Sequence, residues 1–360
     1  MERIRLENLT KIYDRHPVVA DFSLSVSAGD FCVILGPSGS GKSSVMNMIG
    51  GFTAPTSGEI YIDGEPATGL PPHARDLGMM FQGYALFPHL TVFENVAFPL
   101  RARGVRSSEL RARVERTLEV VELGDLQGRR PNELSGGQQQ RTALARALVF
   151  GPRVLLMDEP LAALDRRLRE RMQLEIKAIQ RQLAITVLYI THDQQEAMML
   201  ADMLVVMNQG RAEQVGAPLS VYHRPRTRFV CDFLGDSNIF DATVESIAPG
   251  AIVCRAHSGE RIIVTAEQPI AIEQLITIAV RPEHIRISAA DSPESNLIPG
   301  VIAEILDLGL SRRYRVATPI SPRPLLVTEP GSNIATSRKV GDVVHVAFGI
   351  EAATVISGSA

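Results

Sequence analysis

The sequence predicts an α/β domain built around a parallel sheet, followed by a smaller all-β domain. Three features predict it. A glycine-rich loop, Gly36 to Ser43, lies between an apolar run and a helix-like stretch; short apolar runs alternate with segments of helical period as far as residue 235; and beyond that point brief β-like runs take over.

Taken in order, Phe22, Leu24 and Val26 alternate with polar neighbours and read as an antiparallel edge strand. The run Phe31-Cys32-Val33-Ile34-Leu35 reads as a strand, and Ser44 to Ile49 as the helix after the loop. That loop, Gly36-Pro37-Ser38-Gly39-Ser40-Gly41-Lys42-Ser43, fills every position of the phosphate-loop pattern in the strand, loop and helix setting the pattern demands. Its glycines let the backbone curl so that N–H groups face phosphates, and the helix N-terminus adds partial positive charge. Lys42 then reaches the terminal phosphates of a bound nucleotide as a point charge, and the Ser43 hydroxyl ligates Mg2+.

Leu110, Val114, Leu118 and Val121 recur at helical spacing, as do Leu168, Met172, Ile176, Ile179 and Leu183. Gln138 to Val149 reads as a helix with Ser135 as its N-cap. Val154-Leu155-Leu156-Met157 is a buried parallel strand that delivers Asp158-Glu159 to the phosphate edge of the sheet. Two adjacent carboxylates there have two jobs. Asp158 holds Mg2+ directly or through water, and Glu159 orients and polarises the water that attacks the γ-phosphoryl group. Alone, such a pair would be an ordinary helix start or turn; the phosphate loop upstream and Pro160 behind it reverse that reading. Ile185 to Ile190 forms a further strand, and Leu204 to Arg211 a strand and tight turn.

The chain divides near Leu234-Gly235-Asp236, into 1–235 and 236–360. Ala251 to Val253, Arg261 to Val264, Leu275 to Val280 and Val343 to Val346 read as strands of an all-β module of oligonucleotide-fold type. Within it, Asn238-Ile239-Phe240-Asp241-Ala242-Thr243-Val244 and Asn296-Leu297-Ile298-Pro299-Gly300-Val301-Ile302 look like the starts of two related halves.

Composition fits a cytosolic protein: 360 residues, 45% hydrophobic and 21% charged, enough for two ordinary cores. A formal net charge of -3 and 5% aromatics give no footprint for nucleic acid as a partner. No run approaches the roughly 18 apolar residues of a membrane span, and Met1-Glu2-Arg3-Ile4-Arg5 lacks a signal peptide's apolar core. Three cysteines without metal-like spacing read as reduced thiols.

Between the phosphate loop and Asp158-Glu159 stands Leu134-Ser135-Gly136-Gly137-Gln138, which resembles the signature motif of ATP-binding-cassette (ABC) proteins, where this loop of one subunit closes over ATP held by another. Other positions match that family's pattern. Gln82, in Met80-Phe81-Gln82-Gly83, resembles the glutamine that contacts metal and water and links the site to a membrane partner. Leu161-Ala162-Ala163-Leu164-Asp165 resembles the loop that crosses the dimer interface, with Ala162 where many relatives carry Ser. His192, in Thr191-His192-Asp193, resembles the switch histidine at the γ-phosphate, and Tyr13 the aromatic that stacks on adenine. Singly, each would be ordinary packing or surface; together they run in the family's order.

The resemblance implies a P-loop ATPase of ABC type, with a parallel core sheet, an antiparallel β-subdomain and a helical subdomain, ahead of a TOBE-like domain of the importer kind, to which Val280-Arg281-Pro282-Glu283-His284-Ile285 is similar. It implies a homodimer holding two ATP, with Ser135, Gly136, Gly137 and Gln138 serving the opposite subunit, two permease subunits and, indirectly, a solute-binding protein, on the cytoplasmic face of the inner membrane. Residues 84 to 96, rich in apolar and aromatic side chains, combine core with a groove for a permease helix. The polyamine importers are most similar; ferric iron, sugar and phosphonate importers share most features. A soluble ABC ATPase acting on nucleic acid is the rival reading, but the second cassette or long coiled coil of such proteins is missing here.

Overall fold

A computed structural model describes residues 1–162, 164–265, 269–288, 295–331 and 338–356. It divides into two compact units, Met1–Leu219 and Ser220–Ala360.

The first unit opens with a long hairpin, β1 (Glu2–Tyr13) and β2 (His16–Ser27), followed by β3 (Phe31–Leu35), α1 (Lys42–Gly50), β4 (Ser57–Ile62), β5 (Glu65–Pro66) and β6 (Gly78–Met80). Three helices follow, α2 (Val92–Ala102), α3 (Ser107–Val120) and α4 (Gly136–Leu148). The chain then alternates: β7 (Val154–Asp158), α5 (Arg166–Leu183), β8 (Thr186–Thr191), α6 (Gln194–Leu200), β9 (Met203–Asn208) and β10 (Arg211–Gly216).

A six-stranded sheet ordered β10-β9-β3-β8-β7-β6 is parallel except for β10, which pairs antiparallel with β9 through a turn whose residues Gln209 and Gly210 both take positive φ. All five residues of β3 are buried, as a strand covered on both faces requires. The antiparallel sheet β2-β1-β4-β5 carries the expected edge strand: Phe22, Leu24 and Val26 are buried and alternate with exposed residues. One core joins Ile4 and Phe22 of that sheet to Val45 and Met48 of α1 and to Ile34 and Leu188 of the six-stranded sheet. Leu110, Val114, Leu118 and Val121 are buried as their spacing predicts, and so are Met172 and Ile176. Leu183 is instead 44% exposed, because α5 ends there and Ala184 turns the chain away in a left-handed conformation.

The division between the units falls within α7 (Pro218–His223), ahead of the expected position at 235. In the second unit, α8 (Arg228–Phe233) precedes β11 (Asn238–Ala248), β12 (Ala251–Ala256), β13 (Arg261–Val264) and β14 (Leu275–Val280). Then come β15 (Arg286–Ser288), β16 (Asn296–Asp307), β17 (Ser311–Ala317), β18 (Leu325–Pro330), β19 (Val343–Phe348) and β20 (Ala353–Ile356). Two five-stranded antiparallel sheets result, β13-β12-β11-β14-β20 and β15-β19-β16-β17-β18, sharing one core from Phe240 and Ile278 to Tyr314 and Phe348.

Side-chain contacts, those of Arg281 foremost, hold residues 220–235 to the β sheets. The buried Arg281 guanidinium donates to the carbonyls of Tyr222, Cys231 and Gly235 and to the Ser237 hydroxyl, and it lies 4.1 Å above the Tyr222 ring. Cys231 packs beside Ala279 and Ile356. All three cysteines are buried free thiols, and burial pushes Cys254 up to about 11.

Candidate functional site

Strand order builds the site. β3, β8, β7 and β6 are consecutive neighbours in a parallel sheet, so the segments leaving their C-terminal ends emerge side by side. Those segments are the phosphate loop after β3, His192 after β8, Asp158-Glu159 at the end of β7 and Gln82 after β6.

The phosphate loop curls back onto the sheet. A Cβ on Gly36 would meet the Met207 carbonyl at 2.2 Å, and one on Gly41 would meet that of Val18 at 2.5 Å with φ at +98°. Glycine is required at both positions. Gly41 is also the N-cap of α1, without a side-chain cap, so the helix's first N–H groups point into the loop. Pro37, Ser38 and Gly39 form its outer rim, while Ser40 is buried. The buried Lys42 ammonium donates to the carbonyls of Gly36 at 2.9 Å and Pro37 at 2.8 Å. Burial lowers its pKa, and the carboxylates of Glu159 and Asp158 pull it back up. At the far end of α1, Arg75 donates to the carbonyls of Met48 and Ile49 and to those of Leu70 and Thr68, fixing the helix to the segment that leads into β6.

Around this loop the acidic, amide and imidazole groups are linked. The Ser43 hydroxyl donates to Asp158 Oδ1 at 3.3 Å. Gln82 Nε2 donates to Glu159 Oε2 at 3.3 Å, and His192 Nδ1 lies 3.2 Å from Glu159 Oε1. Burial raises the Asp158 pKa, the Ser43 hydroxyl opposes that shift, and Glu159 adds to it. Glu159 itself sits in the left-handed region at φ 44°, its N–H held by the Ile190 carbonyl at 3.1 Å. A strained backbone of this kind persists only where its surroundings fix it, and it gathers at functional sites.

The loop of residues 84–91 is shaped by two residues the sequence did not single out. Arg146 on α4 donates to the carbonyls of Tyr84 and Ala85, both with positive φ. Asn95, fully buried on α2, accepts from the Phe87 N–H and donates to the carbonyls of Phe87, Leu90 and Thr91. Within residues 84–96, Tyr84, Val92 and Val96 are core, whereas Ala85, Pro88 and His89 are exposed.

Other expected residues hold local roles. Ser135 is the N-cap of α4: its hydroxyl accepts from the Gln138 N–H, and the Gln138 side chain accepts from the Ser135 N–H. Ser135 and Gly136 are exposed, while Gly137 is buried where a Cβ would touch Leu168 at 3.3 Å. Asp165 caps α5 by accepting from the Leu168 N–H at 3.0 Å. Ala162 is exposed beside Glu159, and Ala163 lies outside the described residues. Tyr13, at the end of β1, is 45% exposed, with the Lys11 ammonium 4.9 Å from its ring.

Comparison with known proteins fits this geometry. Residues 19–162 match the sequence family described as ABC transporter, and residues 278–356 match the TOBE domain. The spermidine/putrescine import ATP-binding protein PotA of Rubrobacter xylanophilus is 43% identical over 99% of this chain and 94% of its own. The chain belongs to the ABC transporter family. A PotA protein of Pseudomonas aeruginosa is 41% identical over 98% of both chains. Among solved structures, the MJ0796 ABC transporter cassette, a dimer in a post-hydrolysis state with ADP and Pi, superposes with a TM-score of 0.54 at 34% identity, covering 60% of this chain and 98% of that one. CbiO1 of Clostridium perfringens, part of the ABC transporter complex cbiONQ, superposes at 0.58 with 28% identity, over 62% and 91%. This ABC protein is therefore an importer-type ATPase: the expected P-loop fold of ABC type and the all-β TOBE domain after it both hold. No helix among the described residues is long and apolar enough to cross a membrane.

Proposed function

We propose that this chain drives polyamine import, as one of two identical ATPase subunits bound to two permease subunits on the cytoplasmic face of the membrane and supplied by a solute-binding protein. The observation that carries the reading is the linked group Ser43, Asp158, Glu159, Gln82 and His192, set around a complete phosphate loop in a chain that aligns end to end with polyamine import ATP-binding proteins.

The loop's N–H groups and Lys42 bind the phosphates of ATP, and Tyr13 covers the adenine. The donors at the metal position are hard oxygens, the Ser43 hydroxyl and the Asp158 carboxylate within hydrogen-bond distance, with the Gln82 amide bound to the adjacent Glu159; this set suits Mg2+, which binds through one or two carboxylates plus substrate phosphates. When bound, Mg2+ supplies charge neutralisation at the β- and γ-phosphate oxygens. Glu159 holds and polarises the attacking water, accepting its proton, while His192 and Gln82 hold the Glu159 carboxylate from either side. Ser135, with the N–H groups of α4 behind it, contacts the γ-phosphate of the partner's ATP, and Asp165 stands at the same interface.

The test is uptake by cells lacking this gene. Accumulation of radiolabelled spermidine and putrescine should fall, return with the intact gene, and not return with Glu159→Gln; ferric iron, maltose and phosphonate uptake should be unchanged. Normal polyamine uptake with loss of one of the others would reassign the solute.

A further inference from the structure

Arg169, on the first turn of α5, joins two loops that the site needs in register. Its Nη2 donates to the Leu164 carbonyl at 3.0 Å, one residue before the interface Asp165. Its Nη1 donates to Asp193 Oδ2 at 3.1 Å, one residue after His192. The guanidinium also shares a small cavity with Glu159, Ala162 and His192.

Neither helix depends on this arginine for its cap. Asp165 caps α5, and Asp193 caps α6 with its other oxygen, Oδ1, which accepts from the N–H groups of Gln195 and Glu196. What Arg169 adds is the connection between them. The loop around His192 is stiff in its own right: the Tyr189 and Thr191 hydroxyls donate to Glu196 Oε2 at 2.9 and 2.7 Å, and the Asp193 N–H donates to Thr191. A displacement of the Leu164 carbonyl therefore reaches His192 through one rigid fork. The fork is not saturated. Arg169 Nε is buried without a hydrogen-bond partner, 3.7 Å from Glu196 Oε1, so a shift of less than about 1 Å would close that contact as well.

We propose that Arg169 is a positioning residue for ATP hydrolysis, which ties the dimer-interface loop to the His192 loop so that approach of the partner subunit sets the imidazole against Glu159. This rests on the reading of His192 and Glu159 given above. Lysine cannot substitute fully, since an ammonium lacks the planar fork that reaches a carbonyl and a carboxylate in fixed directions.

The experiment measures kcat, ATP KM and binding of a fluorescent ATP analogue for the full chain carrying Arg169→Gln, Arg169→Lys, His192→Ala and the double change Arg169→Gln with His192→Ala. Arg169→Gln should lower kcat by about 10- to 100-fold, the range a small misplacement costs, with nucleotide affinity within about twofold. Arg169→Lys should recover part of the loss and carries the test if the glutamine variant does not fold. In the His192→Ala background, followed in single turnovers with enzyme in excess, Arg169→Gln should cost little more. Wild-type kcat in both Arg169 variants, or an affinity loss matching the kcat loss, overturns the proposal, as does the same fold-cost in both backgrounds. Normal turnover by His192→Ala alone would instead sink the underlying assignment.

Discussion

Asn238 and Asn296 make the same two-point contact from the first residues of β11 and β16. Asn238 Oδ1 accepts from the Leu326 N–H and its Nδ2 donates to the Leu326 carbonyl, while Asn296 does both with Ile263. Each amide thus replaces one rung of a β-ladder, joining its strand to an edge strand of the opposite sheet, β18 or β13. The repeat suggested by Asn-Ile-Phe and Asn-Leu-Ile is a structural one.

Replacing either asparagine with alanine should therefore destabilise the β domain by a similar amount. Both are at most 5% exposed, and each change orphans one N–H and one carbonyl at about 1–3 kcal/mol per group. Thermal unfolding followed by near-ultraviolet signal would show both variants shifted down together; a shift in one alone would break the equivalence.

Motifs were legible where local backbone geometry demands particular residues: the glycines of the phosphate loop, the N-cap at Ser135, the alternation in β2. Anchors were not. Arg146 meets carbonyls 61 and 62 residues upstream, and Arg75 and Arg281 likewise act through long-range contacts that no spacing reveals; Asn95 acts close by, on an irregular loop 4 to 8 residues upstream whose path has no period to read. The same cause shifted the division of the chain, since helical periodicity runs through α8 while Arg281 binds that segment to the β sheets.

Glu159→Gln should abolish turnover and keep ATP binding. The amide keeps the shape but cannot take the water's proton. Size-exclusion chromatography with Mg-ATP should then show a trapped dimer; near-normal steady-state hydrolysis would move the base elsewhere.

Ser135→Arg should leave ATP binding by the isolated chain nearly intact if, as proposed, the exposed Ser135 serves the other subunit's nucleotide. Hydrolysis should collapse. Mixing with Lys42→Ala chains should form one composite site with measurable ATP binding, and normal turnover by the Ser135 variant would contradict the two-chain sandwich.

Glu196→Gln should flatten the pH dependence of stability. Burial raises the Glu196 pKa above its ordinary carboxyl value, against the pull of the Thr191 and Tyr189 hydroxyls. The folded chain therefore holds this proton more tightly than the unfolded one, and the stability linked to it, full below the unfolded pKa, is lost as pH rises through the folded value. The unfolding midpoint of the parent should drop relative to the variant across that window. Parallel curves would place the titration elsewhere.

Truncation tests the division and the role of the second domain together. A chain ending at Gly235 keeps every proposed ATP-contacting residue from Tyr13 to His192, and so does one ending at Leu219. Both should bind Mg-ATP. The longer one retains α8 without Arg281, leaving the Cys231 and Gly235 carbonyls unpaired and the otherwise buried Cys231 without the cover of Ala279 and Ile356, so it should aggregate more readily. Both should dimerise less without nucleotide than the full chain if the β domain holds two copies at high effective concentration. Sedimentation without nucleotide, beside ATPase assays over a dilution series, measures this. Dimerisation equal to that of the full chain would remove the stabilising role, and ATP binding lost at Leu219 but kept at Gly235 would return residues 220–235 to the ATPase domain.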